Sequence, residues 1–202
     1  MNDAAPIPRR ATLARATSET DIRIELCLEG TGRADIASGI GFLDHMLDAF
    51  ARHGLFDLTL AAKGDLEIDA HHTTEDIGIV LGQALKQALG EKRGIRRFGQ
   101  ALVPMDEALV EAAIDLSGRP HLAWNITFPI ARLGTMETEL FREFFAALAA
   151  NAALTLHLEA RAGKNAHHLA EAAFKACARA LRMAAEIDPR LGDAVPSTKG
   201  RL

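Results

Sequence analysis

The chain has 202 residues, of which 49% are hydrophobic and 25% charged, with a formal net charge of −4 at pH 7. That length supports one substantial domain, or two small units sharing a core, and the composition is that of a globular protein. The mild acidic balance argues against a nucleic-acid binder, which would show a basic face, but leaves room for a local basic pocket that takes a small anion.

In chain order, alternation and β-propensity predict a strand over Arg23–Leu28, and apolar spacing predicts a helix over Gly41–Arg52. A strand over Asp57–Ala61 and a helix over Thr73–Gly90 follow. Gly90 and Gly94 mark a helix stop and a linker. Beyond it come strands over Glu111–Asp115 and Leu122–Ile126, a helix over Thr138–Asn151, a strand over Leu154–Glu159 and a helix over His167–Ile187. The boundary between two units falls near Lys92–Arg97, dividing residues 1–93 from residues 94–202.

The two units repeat one another. Residues 71 to 75 read His-His-Thr-Thr-Glu, and residues 167 to 171 read His-His-Leu-Ala-Glu. Leu58-Thr59-Leu60 matches Leu154-Thr155-Leu156, with the Thr twelve positions before the first His in both halves. Ile77–Leu89 aligns without a gap to Ala173–Ala185. With two residues deleted in a loop, His45 falls opposite Glu143. Repeated strand, helix, strand, helix units each have an apolar side that needs covering, so the helices of one half are expected to pack on those of the other and bring the motif helices together.

The motif has metal-ligand spacing. On a helix, residues at i and i+4 share a face, so His71 and Glu75, or His167 and Glu171, can grip one ion together. His72 and His168 are turned by about 100° and point toward another ion. One set is then His71, Glu75 and His168 with Glu143; the other is His167, Glu171 and His72 with His45, an allocation that can also be reversed or cross between subunits. Imidazole and carboxylate donors without thiolate suit Mn(II), Fe(II), Co(II), Ni(II) or Zn(II). A single His-His pair at a helix start is more often a cap or surface feature, and Glu suits a first helical turn by itself. The duplication is what raises the signal.

Two other functions share these residues. A metallohydrolase would use similar metals, but the zinc-peptidase pattern sets a Glu between two His, and this order differs. A metal-clamped assembly module without turnover is the non-enzymatic alternative.

The remaining features are quieter. Cys27 and Cys177 sit among apolar residues outside any C-x-x-C pair and read as small buried hydrophobes. Met1–Arg15 carries no continuous apolar run of signal-peptide type, and no run reaches bilayer-spanning length, so a cytoplasmic protein with no membrane partner is expected. His121 and His157 read as structural histidines satisfied within strands.

Four segments carry a family resemblance: Gly39-Ile-Gly-Phe-Leu-Asp-His-Met-Leu47, Asp69-Ala-His-His-Thr-Thr-Glu-Asp76, Gly163-Lys-Asn-Ala-His-His168 and Pro196-Ser-Thr-Lys-Gly200. Together, and in this order from about Arg9 to the end, the chain resembles imidazoleglycerol-phosphate dehydratase. The resemblance implies a duplicated α/β (α+β) fold, in which two four-stranded sheets sandwich a four-helix layer. It implies a lyase of histidine biosynthesis that dehydrates D-erythro-imidazole glycerol phosphate to imidazole acetol phosphate. It also implies two Mn(II) ions per active site, holding the substrate's imidazole as imidazolate, and a homo-oligomer of twenty-four chains with active sites between subunits. Carried onto this sequence, the metal ligands are His45, His71, His72, Glu75, His167, His168 and Glu171. Substrate contacts are Glu19, His53, Arg97, Arg119, Lys175, Ser197 and Lys199, the last two on a C-terminal tail. Glu19 is the candidate proton shuttle, with Glu171 or His53 assisting. This chain departs from the family at Glu143, where the family has His; a carboxylate can replace imidazole on manganese.

Overall fold

The structure is a computed structural model and describes residues 8–202. The first part of the Met1–Arg15 segment, residues 1–7, lies outside the described residues.

The first half runs β1 (Arg10–Ala16), β2 (Thr20–Cys27), β3 (Ala34–Ala37), α1 (Gly41–Gly54), β4 (Asp57–Gly64) and α2 (His71–Leu89). The second runs β5 (Phe98–Met105), β6 (Ala108–Asp115), β7 (His121–Asn125), a small ribbon of β8 (Arg132–Leu133) and β9 (Met136–Glu137), then α3 (Leu140–Ala152), β10 (Thr155–Ala162) and α4 (Ala166–Ala185). The two four-stranded sheets have the same order, β1-β2-β4-β3 and β5-β6-β10-β7. In each, the second strand is antiparallel to both its neighbours and the third is parallel to the fourth. The duplicated α/β architecture with two four-stranded sheets and four helices is therefore as the resemblance implied.

Burial explains which strands the sequence showed. Every second residue of β2 and β6 is buried, and these central strands alternate cleanly. β1 buries only Ala11 among its seven residues, and β5 leaves Phe98 and Leu102 exposed. Both are edge strands, where one side and one face meet solvent, so their sequences carry little apolar alternation and escaped prediction. Short β3 escaped for the same reason.

The helices lie between the sheets. α2 packs on β1 and β2, α4 on β5 and β6, α1 on β3, and α3 on β7. Across the halves, α2 packs against α3 and α1 against α4. This corrects the expectation that the two motif helices meet: each motif helix meets the first helix of the other half. The reason is steric. Gly78 and Gly82, one turn apart on α2, lie against the backbone carbonyls of Phe144 and Leu148 on α3, where a Cβ would come within 2.6 Å and 2.7 Å. That glycine groove lets the α3 backbone approach α2 closely. Phe141, Phe144, Phe145 and Phe174 fill the centre, with Phe144 and Phe174 stacked at 5.2 Å.

Helix ends place the motifs. α2 begins at His71 itself, two residues earlier than the apolar pattern predicted, because Asp69 Oδ1 accepts the His71 N–H at 2.7 Å. At the equivalent position in the second half, Asn165 caps α4 by accepting the N–H groups of His167 and His168. Both cysteines are buried and free, and burial pushes the Cys177 thiol up to about 12.

Candidate functional site

The predicted ligands fall into separate groups on one chain. In the first, His45 from the first turns of α1 meets His167 and Glu171 from the first turns of α4. Their ligand atoms all lie within 4.8 Å of one another. Glu171 Oε2 is 3.2 Å from His45 Nε2 and 3.0 Å from His167 Nε2, and Glu171 Oε1 is 2.6 Å from Lys175 Nζ. Phe42 stands edge-on to His167 at 5.2 Å and to His45 at 6.3 Å, so both imidazoles rest on one ring. The buried Glu171 carboxyl is opposed by desolvation, but hydrogen bonds from Lys175 and His167 and the nearby positive charge outweigh it and hold the group at about 2. It is therefore ionised across the physiological range. Two imidazole nitrogens and one carboxylate oxygen, without thiolate, form a donor set that fits a divalent transition metal.

His53, in the last turn of α1, belongs to the same neighbourhood. Burial, followed by the positive charges of Lys175 and Arg179, lowers its pKa, so its imidazole is neutral at pH 7. Sequence reasoning missed Arg179. The signal was present: Glu171, Lys175 and Arg179 are spaced i, i+4, i+8 on one helix face.

The pseudo-equivalent group in the first half is open. His71 and Glu75 are 3.9 Å apart and both about half exposed. Glu143, the counterpart of His45, accepts from its neighbour Arg142 at 2.9 Å. Among the described residues, only the His45–His167–Glu171 group brings three metal-type ligands together.

His72 and His168 join neither group. His72 Nδ1 lies 2.9 Å from Asp65 and 3.9 Å from Glu19. His168 Nδ1 lies 2.7 Å from Glu107. The expectation that His72 would stand with His167 and Glu171, and His168 with His71 and Glu75, is thus not met within one chain. The physical reason is the helix pairing: α2 packs on α3 and α4 on α1, so the two motif helices are not partners. Asp65 and Glu107 were not singled out by sequence, since each lies outside the motifs on a turn.

The residues implied for phosphate gather elsewhere, at one end of the second sheet. Arg97 donates from Nε and Nη2 to both oxygens of Asp115, at 2.7 and 3.1 Å, and from Nη1 to the Pro196 carbonyl at 2.9 Å. Arg119 is exposed, with Nη2 at 3.7 Å from Asp115. The tail returns to the same place, its last residue Leu202 lying against Gly118, where a Cβ would come within 2.8 Å. Ser197 Oγ accepts the Lys199 N–H at 3.2 Å, fixing the turn that carries both. Lys175 lies apart from these four, with Glu171. The reading of His121 and His157 as satisfied strand histidines is corrected: both are exposed on the outer face of the second sheet, rings 6.0 Å apart.

Fold and site together define a class: duplicated α/β sandwich proteins with histidine and carboxylate donors placed at helix starts and suited to a divalent cation. Comparison with known proteins narrows the class. The family model for Imidazoleglycerol-phosphate dehydratase matches residues 38–181. An imidazoleglycerol-phosphate dehydratase of Granulibacter bethesdensis is 68% identical over 194 residues, covering 96% of this chain and 99% of that protein. The one from Gluconobacter oxydans is 64% identical, covering 96% and 98%. Among solved structures, the enzyme of Staphylococcus aureus aligns with a TM-score of 0.81 at 39% identity over 89% of this chain and 99% of its own. That of Pyrococcus furiosus aligns at 0.82, again at 39% identity, over 94% and 100%. The chain belongs to the imidazoleglycerol-phosphate dehydratase family and is an enzyme.

Proposed function

We propose that this chain catalyses the dehydration of D-erythro-imidazole glycerol phosphate to imidazole acetol phosphate in histidine biosynthesis, in the cytoplasm, with two Mn(II) ions per active site. The observation that carries the reading is the convergence of His45 Nε2, His167 Nε2 and Glu171 Oε2 within 4.8 Å, in a chain of this family. When bound, the two ions supply Lewis acidity that holds the substrate's imidazole ring as imidazolate and favours departure of the adjacent hydroxyl.

One ion would be held by His45, His167 and Glu171, the other by His71, Glu75 and Glu143. His72 and His168, outside both groups in their own chain, would complete the sets from further copies. A homo-oligomer, of twenty-four chains by the family resemblance, is thereby required for activity. This motif geometry gives no role to a nucleic acid or a membrane, and among the described residues no helix is long and apolar enough to cross a bilayer.

The chain's own groups divide the remaining work. Arg97, Arg119, Ser197 and Lys199 bind the phosphate; Arg97, its Nε–Nη2 side held by Asp115, offers its remaining N–H groups, and exposed Arg119 offers a second guanidinium. Lys175 adds a point charge next to the metal group. Glu19, half exposed and 3.9 Å from His72, removes the carbon-bound proton. His53, neutral at pH 7, would take up the N–H proton that the substrate's imidazole gives up and deliver it through water to the leaving hydroxyl, while Glu19 returns the carbon-bound proton to the enol. Glu171, ionised throughout, acts as ligand. One hydroxyl and one proton leave as water, and the enol becomes the ketone.

The test is to incubate metal-stripped protein with imidazole glycerol phosphate, with and without Mn(II), and follow imidazole acetol phosphate. Manganese-dependent product that His71→Ala or His168→Ala abolishes is expected. Absence of product, with manganese still altering assembly, would overturn the enzymatic reading in favour of a metal-clamped scaffold.

A further inference from the structure

We infer that Asp65 and Glu107 are positioning residues that orient His72 and His168 toward metal, and that the presence of Asp65 is what leaves Glu19 free for proton transfer. The inference deepens the proposed function and rests on its assignment of His72 and His168 as ligands.

The geometry is direct. Asp65 Oδ2 lies 2.9 Å from His72 Nδ1, and Glu107 Oε2 lies 2.7 Å from His168 Nδ1. An ionised carboxylate only accepts, so each Nδ1 carries the proton and donates it. In a neutral imidazole, Nε2 then has the free lone pair. His45 and His167 likewise direct Nε2 at Glu171, so all four rings offer the same atom. A carboxylate on the far nitrogen fixes both the tautomer and the ring plane of a metal-binding histidine. The Glu107 carboxylate is itself anchored. Glu107 Oε1 accepts the backbone N–H groups of Lys164 and Asn165, at 3.0 and 2.7 Å, which ties it to the loop before α4. Asp65 follows the last residue of β4 and is largely buried.

The duplicated frame shows how the labour divides. Glu107 immediately precedes β6, the second strand of its half; Glu19 immediately precedes β2, the second strand of the other. The two glutamates therefore occupy equivalent turns and face equivalent histidines. In the second half Glu107 holds His168. In the first half Asp65 takes the Nδ1 position and Glu19 stands back at 3.9 Å. Asp65 and Glu19 thus flank His72, and Glu107 and Asp106 flank His168, with Asp106 at 3.7 Å from Nε2; of the two carboxylates beyond bonding distance, Glu19 is the candidate proton shuttle.

Three isosteric substitutions in the full, assembled protein test this. Glu107→Gln can keep an oxygen toward the Lys164 and Asn165 amides while placing an NH2 against His168 Nδ1; Asp65→Asn replaces the charged acceptor at His72 with a neutral one. An NH2 donates, so Glu107→Gln favours the Nε2–H tautomer and masks the metal-binding atom, while Asp65→Asn loses the charge-assisted bond that orients His72. Manganese affinity, read from the EPR signal of free Mn(II), should fall roughly 10- to 100-fold in each, and 15N spectra of metal-free Glu107→Gln should show the tautomer change at His168 alone. Glu19→Gln should bind manganese within about twofold of the unmodified protein, on the same principle that only a bonded orienter matters, while losing turnover. Unchanged affinity in Asp65→Asn and Glu107→Gln, or weakened affinity in Glu19→Gln, overturns the inference. If His72→Ala and His168→Ala also bind manganese normally, while Glu107→Gln still shifts the His168 tautomer, the ligand assignment itself is what failed.

Discussion

The Lys175 ammonium lies 2.6 Å from Glu171 Oε1, while the other carboxylate oxygen, Oε2, faces His45 and His167. One carboxylate thus joins an ammonium to a pair of imidazoles, one oxygen for each. Removing the cation should be felt on both sides. Lys175→Met takes away one of the two hydrogen bonds that hold Glu171 low, so its carboxyl titrates at higher pH in metal-free protein, visible in its 13C shift. With a charged contact to substrate also lost, kcat/KM should fall roughly 10- to 100-fold, as for charged hydrogen bonds of about 1.5–3 kcal/mol. Unchanged kinetics would remove Lys175 from the substrate contacts.

Acid should unfold the metal-free protein partly through Glu171. Its folded pKa of about 2 lies below the ordinary glutamate value of 4.5. A depressed carboxylate contributes stability that is complete above the unfolded value and lost as pH falls through the folded one. The loss therefore runs from about 4.5 down to about 2. Denaturant titrations across that window should show a shallower decline for Glu171→Gln than for the unmodified chain. Parallel declines would place the acid sensitivity elsewhere.

The α2–α3 contact depends on missing side chains. At Gly78 a Cβ would meet the Phe144 carbonyl at 2.6 Å and Ala147 Cβ at 2.9 Å. Alanine gains about 1 kcal/mol in helix propensity, yet forcing atoms into a packed contact costs about 1–3 kcal/mol. Gly78→Ala should be net destabilising in denaturant titration. Gly41→Ala, at a position with nothing within 4 Å, should be neutral or slightly stabilising. Equal effects at both sites would contradict the close approach.

Arg97 ties the tail to the sheet, with two bonds to Asp115 and one to the Pro196 carbonyl. Arg97→Ala should release the tail, so that trypsin cuts after Lys199 and Arg201 several-fold faster without loss of the core. Addition of inorganic phosphate should protect the unmodified tail and leave the variant's cleavage rate unchanged. Equal cleavage rates would show that the tail is held by other contacts, such as Leu202 against Gly118.

What the sequence alone determined was whatever local rules dictate. The i, i+4 spacing by itself put His167 with Glu171, and His71 with Glu75, on common helix faces. The duplicated Leu-Thr-Leu and His-His-x-x-Glu segments predicted two halves built alike, and the observed strand orders match. Central strands β2, β4, β6 and β10 were legible because buried alternation writes itself into composition; edge strands β1 and β5 were not, because solvent tolerates almost any residue there. Tertiary structure decided the rest. Which helices pair turned on two glycines admitting α3, a steric match between distant segments. That Asp65 and Glu107 stand beside site histidines follows from turns and strand ends meeting helix starts in space. Such contacts join residues far apart in the chain and leave no period to read.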